Sequence, residues 1–163
     1  MDRNEIIADL SESVRGLLQQ SDAALRAGDR ARALASARQA LQGAPGHPEA
    51  LRQLAAALSA HGPSSEAVDA IEQALAFYPD DPVALTTHAI VMQANGRPDQ
   101  AIESFRLASD LAPDSANNAY NLGRALYHRG EERESLAALE NALAVDPEHR
   151  NAHATAADVL IRL

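Results

Sequence analysis

Apolar residues recur along most of the chain with the period of an α-helix, and glycine or proline separates the amphipathic stretches. Glycine tolerates the positive φ that ends many helices, and proline blocks the continuation of a helix. Both residues recur every 34 positions, as Gly28, Gly62, Gly96 and Gly130 and as Pro45, Pro79, Pro113 and Pro147. The pattern predicts a repeated unit of helix, glycine turn, helix and proline turn.

Small residues form two further rows with the same interval. One row is Ala33, Ala67, Ala101 and Ser135, and the other is Ala40, Ala74, Ala108 and Ala142. Because a small side chain lets two helices approach closely, both rows are predicted to mark helix contacts. The rows predict an all-α chain with four copies of the unit, at residues 14–47, 48–81, 82–115 and 116–149.

The segments outside the four copies are also predicted to be helical. Residues 1–13 form an N-terminal helical extension whose stripe continues to residue 18, with Asn4 or Asp2 as its cap. The stripe consists of Ile6, Ile7, Leu10, Val14, Leu17 and Leu18. Residues 150–163 form a capping helix or the first helix of a truncated fifth copy, with Ala156, Ala157 and Leu160 packed inward. Val159, Ile161 and Leu163 then need cover, so self-association through this helix is also expected.

The fourth copy carries the most characteristic residues. It reads Ala119-Tyr-Asn-Leu-Gly-Arg-Ala-Leu-Tyr-His-Arg-Gly130, then Ser135-Leu-Ala-Ala-Leu-Glu-Asn-Ala-Leu, then Asp146-Pro147. The eighth position of the successive copies holds Ser21, Ala55, Ala89 and Gly123. With these residues and spacings the chain resembles the tetratricopeptide repeat family. It departs from the family pattern where aliphatic residues replace the usual aromatic of the first helix, and where Gln20 and His88 occupy the seventh position.

The resemblance implies a right-handed superhelical solenoid of antiparallel helix pairs. It also implies a function: a scaffold for protein–protein interaction whose concave groove binds an extended peptide or a partner's helix. A second hypothesis makes the repeats the N-terminal substrate-recruiting or oligomerisation module of a larger bacterial enzyme, of transferase or hydroxylase type. The groove residues must distinguish these functions, because a fold alone does not specify one.

Two sets of residues are candidates for partner binding. The first is a row of uncharged hydrogen-bonding side chains at equivalent groove positions: Gln19, Gln53, Thr87, Asn121 and Thr155. Such side chains can hydrogen-bond a peptide backbone, or they can be solvated surface positions. The second set is a patch in the fourth copy with the composition of a binding hot spot: Asn117, Tyr120, Asn121, Arg124, Tyr127 and His128. Its alternative interpretation is that the fourth copy lies closest to the family average.

Charge and composition exclude several other functions. The formal net charge is −9, with 23 acidic and 14 basic residues, so a nucleic-acid partner is not expected. The absence of cysteine removes disulfides and thiolate metal sites. Because no apolar run is long enough for a signal peptide or a membrane span, a cytoplasmic protein with no membrane partner is expected. All basic residues are arginine, which together with the many alanines favours a bacterial source.

No motif in the chain predicts catalysis. There is no phosphate-binding glycine loop, nucleophile elbow or catalytic carboxylate pair, so no enzyme activity and no cofactor are expected. His149 and His153 have the spacing of two metal ligands on a helix, but no third ligand accompanies them. No metal site is therefore predicted. The family's lysine-based clamp for chaperone tails is excluded as well, because the chain contains no lysine.

Overall fold

The computed structural model describes Ile7 and residues 9–163, and among them only helices and turns are found. The helices are α1 Glu12–Arg26, α2 Arg30–Gly43, α3 Pro48–Ser59, α4 Ser65–Phe77, α5 Pro82–Ala94, α6 Pro98–Leu111, α7 Ala116–Arg129, α8 Glu132–Val145 and α9 Arg150–Arg162. Helices α1 to α8 form four successive pairs, and α9 follows the fourth pair. The predicted all-α superhelical solenoid is confirmed.

The glycine of each unit turns the chain between the two helices of a pair. Gly28, Gly62, Gly96 and Gly130 have φ values of 75°, 125°, 70° and 83°, a region that other residues adopt only with strain. At the end of α7, Gly130 adopts the left-handed conformation and its N–H donates to the Tyr127 carbonyl at 3.1 Å. The interpretation of the glycine row as helix stops is therefore confirmed.

Side chains at the N-termini satisfy backbone N–H groups that have no partner within the helix. Serine or aspartate does this at five starts: Ser11, Asp29, Ser64, Asp81 and Ser115. Histidine takes the same position before α3 and α9, where His47 Nδ1 accepts from Glu49 N–H and His149 Nδ1 accepts from Ala152 N–H. Each such cap contributes about 1 kcal/mol to helix stability.

The two rows of small residues are buried, as expected of helix contacts. All eight members are fully buried: Ala33, Ala67, Ala101, Ser135, Ala40, Ala74, Ala108 and Ala142. In the first pair, the Ser21 hydroxyl of α1 donates to the Ala33 carbonyl of α2 at 3.0 Å. In the fourth pair the roles are exchanged, because the Ser135 hydroxyl of α8 donates to the Gly123 carbonyl of α7 at 2.7 Å. Ser21 and Gly123 occupy one position of the repeat, and Ala33 and Ser135 occupy the other. The hydrogen bond between these two positions therefore runs from the first helix in the first pair and from the second helix in the fourth pair.

The N-terminal part of the predicted stripe is not one continuous helix. Asp9 and Leu10 lie in a turn and a bend, and the Ser11 hydroxyl caps α1 at Glu12. The apolar residues are nevertheless used, since Leu10, Val14 and Leu18 pack together with Ala40 and Ala50. Asp2, Asn4 and Ile6 lie outside the described residues.

Packing at the C-terminal helix differs from the prediction. Val159 is fully buried with Ala152 and Ala156, whereas Leu160 is 59% exposed and Ala157 is exposed. Leu160 has the repeat position of Leu126, which is buried because α8 covers that face of α7. No helix after α9 covers Leu160 among the described residues, so the position is exposed although its register is correct. Ile161 and Leu163 are exposed as well.

Each pair packs its first helix beside the first helix of a neighbouring pair. Helix α3 lies against both α1 and α5, and α9 lies against α7. Helices α5 and α7 meet through Thr86 and Asn118. In the described part of the chain, no second helix packs closely on the next second helix. Closer approach of the first helices bends the stack toward them. The first helices α1, α3, α5, α7 and α9 therefore line the concave surface, and α2, α4, α6 and α8 lie on the convex side.

Candidate partner-binding surface

Polar contacts between successive first helices cross the concave surface. Arg52 of α3 donates to the Thr87 hydroxyl of α5 at 3.4 Å. The Thr86 hydroxyl of α5 lies 3.2 Å from the Asn118 side-chain oxygen of α7. These contacts fix neighbouring repeats relative to each other, so the concave surface is largely preformed.

A buried polar cluster occupies the N-terminal half of this surface. Arg52 is 9% exposed and Glu49 4% exposed, and the guanidinium contacts both carboxylate oxygens of Glu49, at 3.1 and 2.5 Å. Arg52 also donates to the Gln53 side-chain oxygen at 2.9 Å. That bond fixes the orientation of the Gln53 amide, whose Nε2 is buried and has no acceptor among the residues that the structure describes. Within this cluster Glu49, Arg52 and Gln53 lie on α3, and the contact from Arg52 to Thr87 links them to α5.

The predicted row of uncharged side chains is not uniformly accessible. Gln19 is exposed on α1, and Asn121 and Thr155 are half-buried. Gln53 and Thr87 are buried, and both accept hydrogen bonds from Arg52. These two residues therefore do not continue the row as exposed hydrogen-bonding groups.

A cavity of about 240 Å³ lies at the N-terminal end of the concave surface. Its lining combines apolar side chains with charged and amide groups: Ile7, Leu18, Arg15, Asp22, Glu49, Arg52, Gln19 and Gln53. Ile7, which precedes α1, forms part of the wall at this end of the concave surface. A cavity of this size accommodates one or two side chains of a partner.

The predicted patch of the fourth repeat lies together on α7. Tyr120, Asn121, Arg124 and Tyr127 are half-buried, and Asn117 and His128 are exposed. The Arg124 guanidinium carbon lies 5.8 Å from the centre of the Tyr120 ring, within the range of a cation–π contact. Arg124 Nε is buried and has no hydrogen-bond acceptor in the described chain.

Helix α9 extends this patch with residues that the sequence interpretation did not include. The guanidinium carbon of Arg162 lies 4.2 Å from the centre of the Tyr127 ring. The His149 ring packs against Tyr120 with 4.9 Å between ring centres. His149 Nδ1 accepts the capping hydrogen bond, so its Nε2 carries the proton and donates to the Asn117 side-chain oxygen at 3.2 Å. We define the aromatic–arginine surface as Asn117, Tyr120, Arg124, Tyr127, His149 and Arg162.

The same contacts account for the pair of histidines with metal-ligand spacing. Both ring nitrogens of His149 are engaged, and His153 Nε2 lies 2.7 Å from the Pro147 carbonyl oxygen. Within the part of the chain that the structure describes, no three His, Cys, Asp or Glu side chains are placed to share a metal ion. None of the described helices combines the length and the apolar character needed to cross a bilayer.

His88 is a half-buried histidine between α5 and α6. The Ser104 hydroxyl donates to the Gln100 carbonyl at 3.1 Å, so its oxygen accepts from His88 Nδ1–H at 2.7 Å. Burial is the main cause that lowers the pKa of His88 below its ordinary value of 6.5. Arg97 adds to this effect, while Glu72 opposes it.

Acidification is expected to destabilise the fold through His88. The folded state keeps His88 neutral below the pH at which the unfolded chain protonates it, so unfolding takes up a proton. Stability from this group is therefore present above about pH 6.5 and is lost as the pH falls through the folded-state pKa. Urea unfolding between pH 7.5 and pH 5, a window of about 2.5 units that includes that value, measures the effect.

The His88→Gln variant should lose less stability over this window than the wild type, and the exposed control His128→Gln should follow the wild type. Parallel curves for wild type and His88→Gln would contradict the assignment.

Sequence reasoning missed the Glu49–Arg52 pair and the role of Arg162. Charged residues at groove positions are ordinarily assigned to solvent, and nothing in local periodicity indicates that Arg52 is enclosed. The available signal was spacing across repeats. Arg52 and Thr87 are 35 residues apart, and one repeat plus one residue places them on adjacent first helices.

Comparison with known proteins agrees with this architecture. A family model described as "Tetratricopeptide repeat" matches residues 24–89 and 92–157. No curated protein sequence matches the chain. The fold is similar to that of a PilF structure from Pseudomonas aeruginosa, with a TM-score of 0.78 and 20% identity over 93% of this chain and 69% of that one.

Two further solved structures have the same fold. A thermophilic tetratricopeptide protein from Thermus thermophilus has a TM-score of 0.77 and 19% identity, covering 92% of this chain and 82% of that one. MamA from Desulfovibrio magneticus, residues 41 to the end, has a TM-score of 0.72 and 22% identity, covering 94% and 86%. At these identities the likeness shows the fold alone.

Proposed function

Because the chain belongs to the tetratricopeptide repeat family, we propose that it is a scaffold that binds an extended segment of a partner protein on its concave surface. The fold supports a role in protein–protein interaction. The observation that carries the more specific proposal is the aromatic–arginine surface, where two tyrosines and two arginines lie together on α7 and α9.

The composition and the burial of this surface fit a binding hot spot. Tyrosine and arginine are enriched among the residues that contribute most to binding, because they offer large contact areas together with hydrogen bonds. Tyr120 and Tyr127 are half-buried, so their rings are already positioned and lose little conformational freedom on binding. Arg124 is half-buried and its Nε is enclosed, so its outer Nη groups would donate to a partner's carbonyl or carboxylate.

The Arg124→Ala variant is expected to weaken partner binding while leaving stability nearly unchanged. A hydrogen bond to a charged group contributes about 1.5–3 kcal/mol, so the loss corresponds to about tenfold or more in Kd. The measurement is the Kd for the protein that co-purifies with the wild type from its source, together with the melting temperature of each variant.

The matched control is Arg106→Ala. Arg106 lies on the convex helix α6 and forms an ion pair with Glu134 at 3.0 Å. It should bind as the wild type does. Equal Kd values for wild type and Arg124→Ala would remove this surface from the binding site.

Self-association through α9 is a second candidate, favoured by the exposed apolar residues at that end. Leu160 and Ile161 are 59% and 83% exposed, and Leu160 occupies a position that a second helix covers in the fourth pair. The expected result is a concentration-dependent mass by light scattering that Leu160→Glu converts to a monomer. A strict monomer at high wild-type concentration would contradict it.

The alternative of a recruiting or oligomerisation module of a larger enzyme draws on the same uncovered face of α9. In this alternative, Leu160 would be covered by a further part of the same polypeptide and not by a second copy of the chain. The intact mass of the protein isolated from its source tests this alternative: a value well above 17.3 kDa would support it. A mass of 17.3 kDa would instead favour a free-standing scaffold.

A further inference from the structure

The two arginines of the aromatic–arginine surface have no acidic partner among the described residues. In this part of the chain five arginines pair with a carboxylate: Arg26, Arg38, Arg52, Arg106 and Arg129. Six further arginines, like Arg124 and Arg162, form no ion pair there: Arg15, Arg30, Arg32, Arg97, Arg133 and Arg150. No ion pair within residues 9–163 involves Arg124 or Arg162, although the chain has 23 acidic residues for 14 basic ones. The six residues of the aromatic–arginine surface include two arginines and no carboxylate; the nearest acidic cluster along the chain is Glu131, Glu132 and Glu134, which line a cavity together with Leu163.

Both guanidinium groups are held in place by aromatic rings. Arg124 lies over Tyr120 and Arg162 lies over Tyr127, at 5.8 and 4.2 Å from the ring centres. A guanidinium that packs on a ring keeps its planar set of N–H donors, which matches the two oxygens of a carboxylate. The Nε of Arg124 is buried, so its outer Nη groups would supply the donors of such a bidentate pair.

The distance between the Tyr120 and Tyr127 rings indicates how far apart two carboxylates of a partner would lie if they bound at Arg124 and Arg162. Tyr120 and Tyr127 are seven residues apart on α7, or about 10 Å along a helix that rises 1.5 Å per residue. An extended peptide covers about 3.3 Å per residue, so this distance corresponds to about three residues of the partner. Ile161, which precedes Arg162 on α9, is 83% exposed.

We propose that the aromatic–arginine surface binds an acidic extended segment of a partner protein, with one carboxylate at Arg124, another about three residues away at Arg162, and aliphatic side chains nearby. This inference rests on the proposed function and specifies the chemistry of the partner. Charge complementarity carries it, because a binding surface with two unpaired cations favours an anionic ligand.

Fluorescence anisotropy with three labelled ten-residue peptides tests the proposal on the full chain. The first peptide has two glutamates three positions apart among leucine, serine and glycine; the second replaces both glutamates with glutamine; the third replaces them with arginine. The wild type should bind the glutamate peptide at least about tenfold more tightly than the glutamine peptide, and should not bind the arginine peptide detectably. Binding of the glutamate peptide should weaken as salt increases.

Two variants locate the binding. The double variant Arg124→Gln/Arg162→Gln should lose the preference for glutamate over glutamine, and the matched convex variant Arg106→Gln should keep it. Equal binding of the glutamate and glutamine peptides, or an unchanged preference in the double variant, would overturn the acidic assignment. Binding of the glutamine peptide would still support a peptide groove, whereas no binding of any peptide would count against both proposals. Tighter binding of a single-stranded RNA than of the glutamate peptide would also overturn the assignment.

Discussion

Replacing Arg52 with alanine is expected to lower the free energy of unfolding by about 3–5 kcal/mol, the range for removing one partner of a buried ion pair. Arg52 contacts Glu49, Gln53 and Thr87 in a region where all four side chains are buried. Without the guanidinium, the Glu49 carboxylate stays buried with fewer hydrogen bonds, and the link between α3 and α5 is lost. Urea unfolding at neutral pH measures the change.

A matched control separates this effect from the loss of a surface charge. Arg38 on α2 pairs with Glu66 on α4 at 3.5 Å, and both side chains are about half exposed. Arg38→Ala should change stability by about 1 kcal/mol or less. The double variant Glu49→Leu/Arg52→Leu should recover much of the loss, because it removes the buried charge as well as its partner. Similar losses for Arg52→Ala and Arg38→Ala would show that Arg52 is not enclosed.

The change Gly123→Ala is expected to destabilise the fold by about 1–3 kcal/mol, the usual cost of overpacking a core. A Cβ at this position would lie 2.7 Å from Leu139 Cγ and 3.2 Å from the Ser135 carbonyl oxygen. Leu139 is fully buried, so it has little room to move. Separating α7 from α8 to make room would also stretch the hydrogen bond from Ser135 to the Gly123 carbonyl.

The same substitution at Gly16 should have the opposite sign. Gly16 lies within α1, and a Cβ there would meet no atom within 4 Å. Alanine is favoured over glycine in a helix by roughly 0.5–1 kcal/mol, so Gly16→Ala should raise stability by about that amount. Thermal unfolding of the two variants in one buffer makes the comparison. Stabilisation by both changes would show that α7 and α8 are not in close contact at Gly123.

Much of the fold could be predicted because the same residue types recur at the same positions in all four repeats. A glycine at a fixed interval, as at Gly130, marks a positive φ that other residues adopt poorly, and each alanine of the two rows marks a helix contact. Local physics was sufficient at these positions. Local sequence was insufficient at Leu160. Its position in the repeat was predicted correctly, but its burial depends on whether another helix packs over it.

The candidate surface was predictable only in part, because burial in the groove depends on neighbouring repeats. Tyr120, Arg124 and Tyr127 share a face of one helix, so spacing alone placed them together. Gln53 was expected to be accessible, but Arg52 beside it turns inward and encloses it. Arg162 was missed because its position against Tyr127 depends on the packing angle between α7 and α9, which no local pattern encodes.

The central claim is that partners bind on the concave surface. Site-specific photocrosslinking in the source cell tests this claim most directly. A photoreactive phenylalanine analogue at Tyr127 reports on the concave side, and the same group at Leu107, an exposed residue of the convex helix α6, is the matched control. The account predicts a discrete crosslinked protein from position 127 that is lost when Arg124→Ala is introduced into the same chain, and no such product from position 107. A discrete product from position 107 alone would contradict it and place the interaction on the convex side.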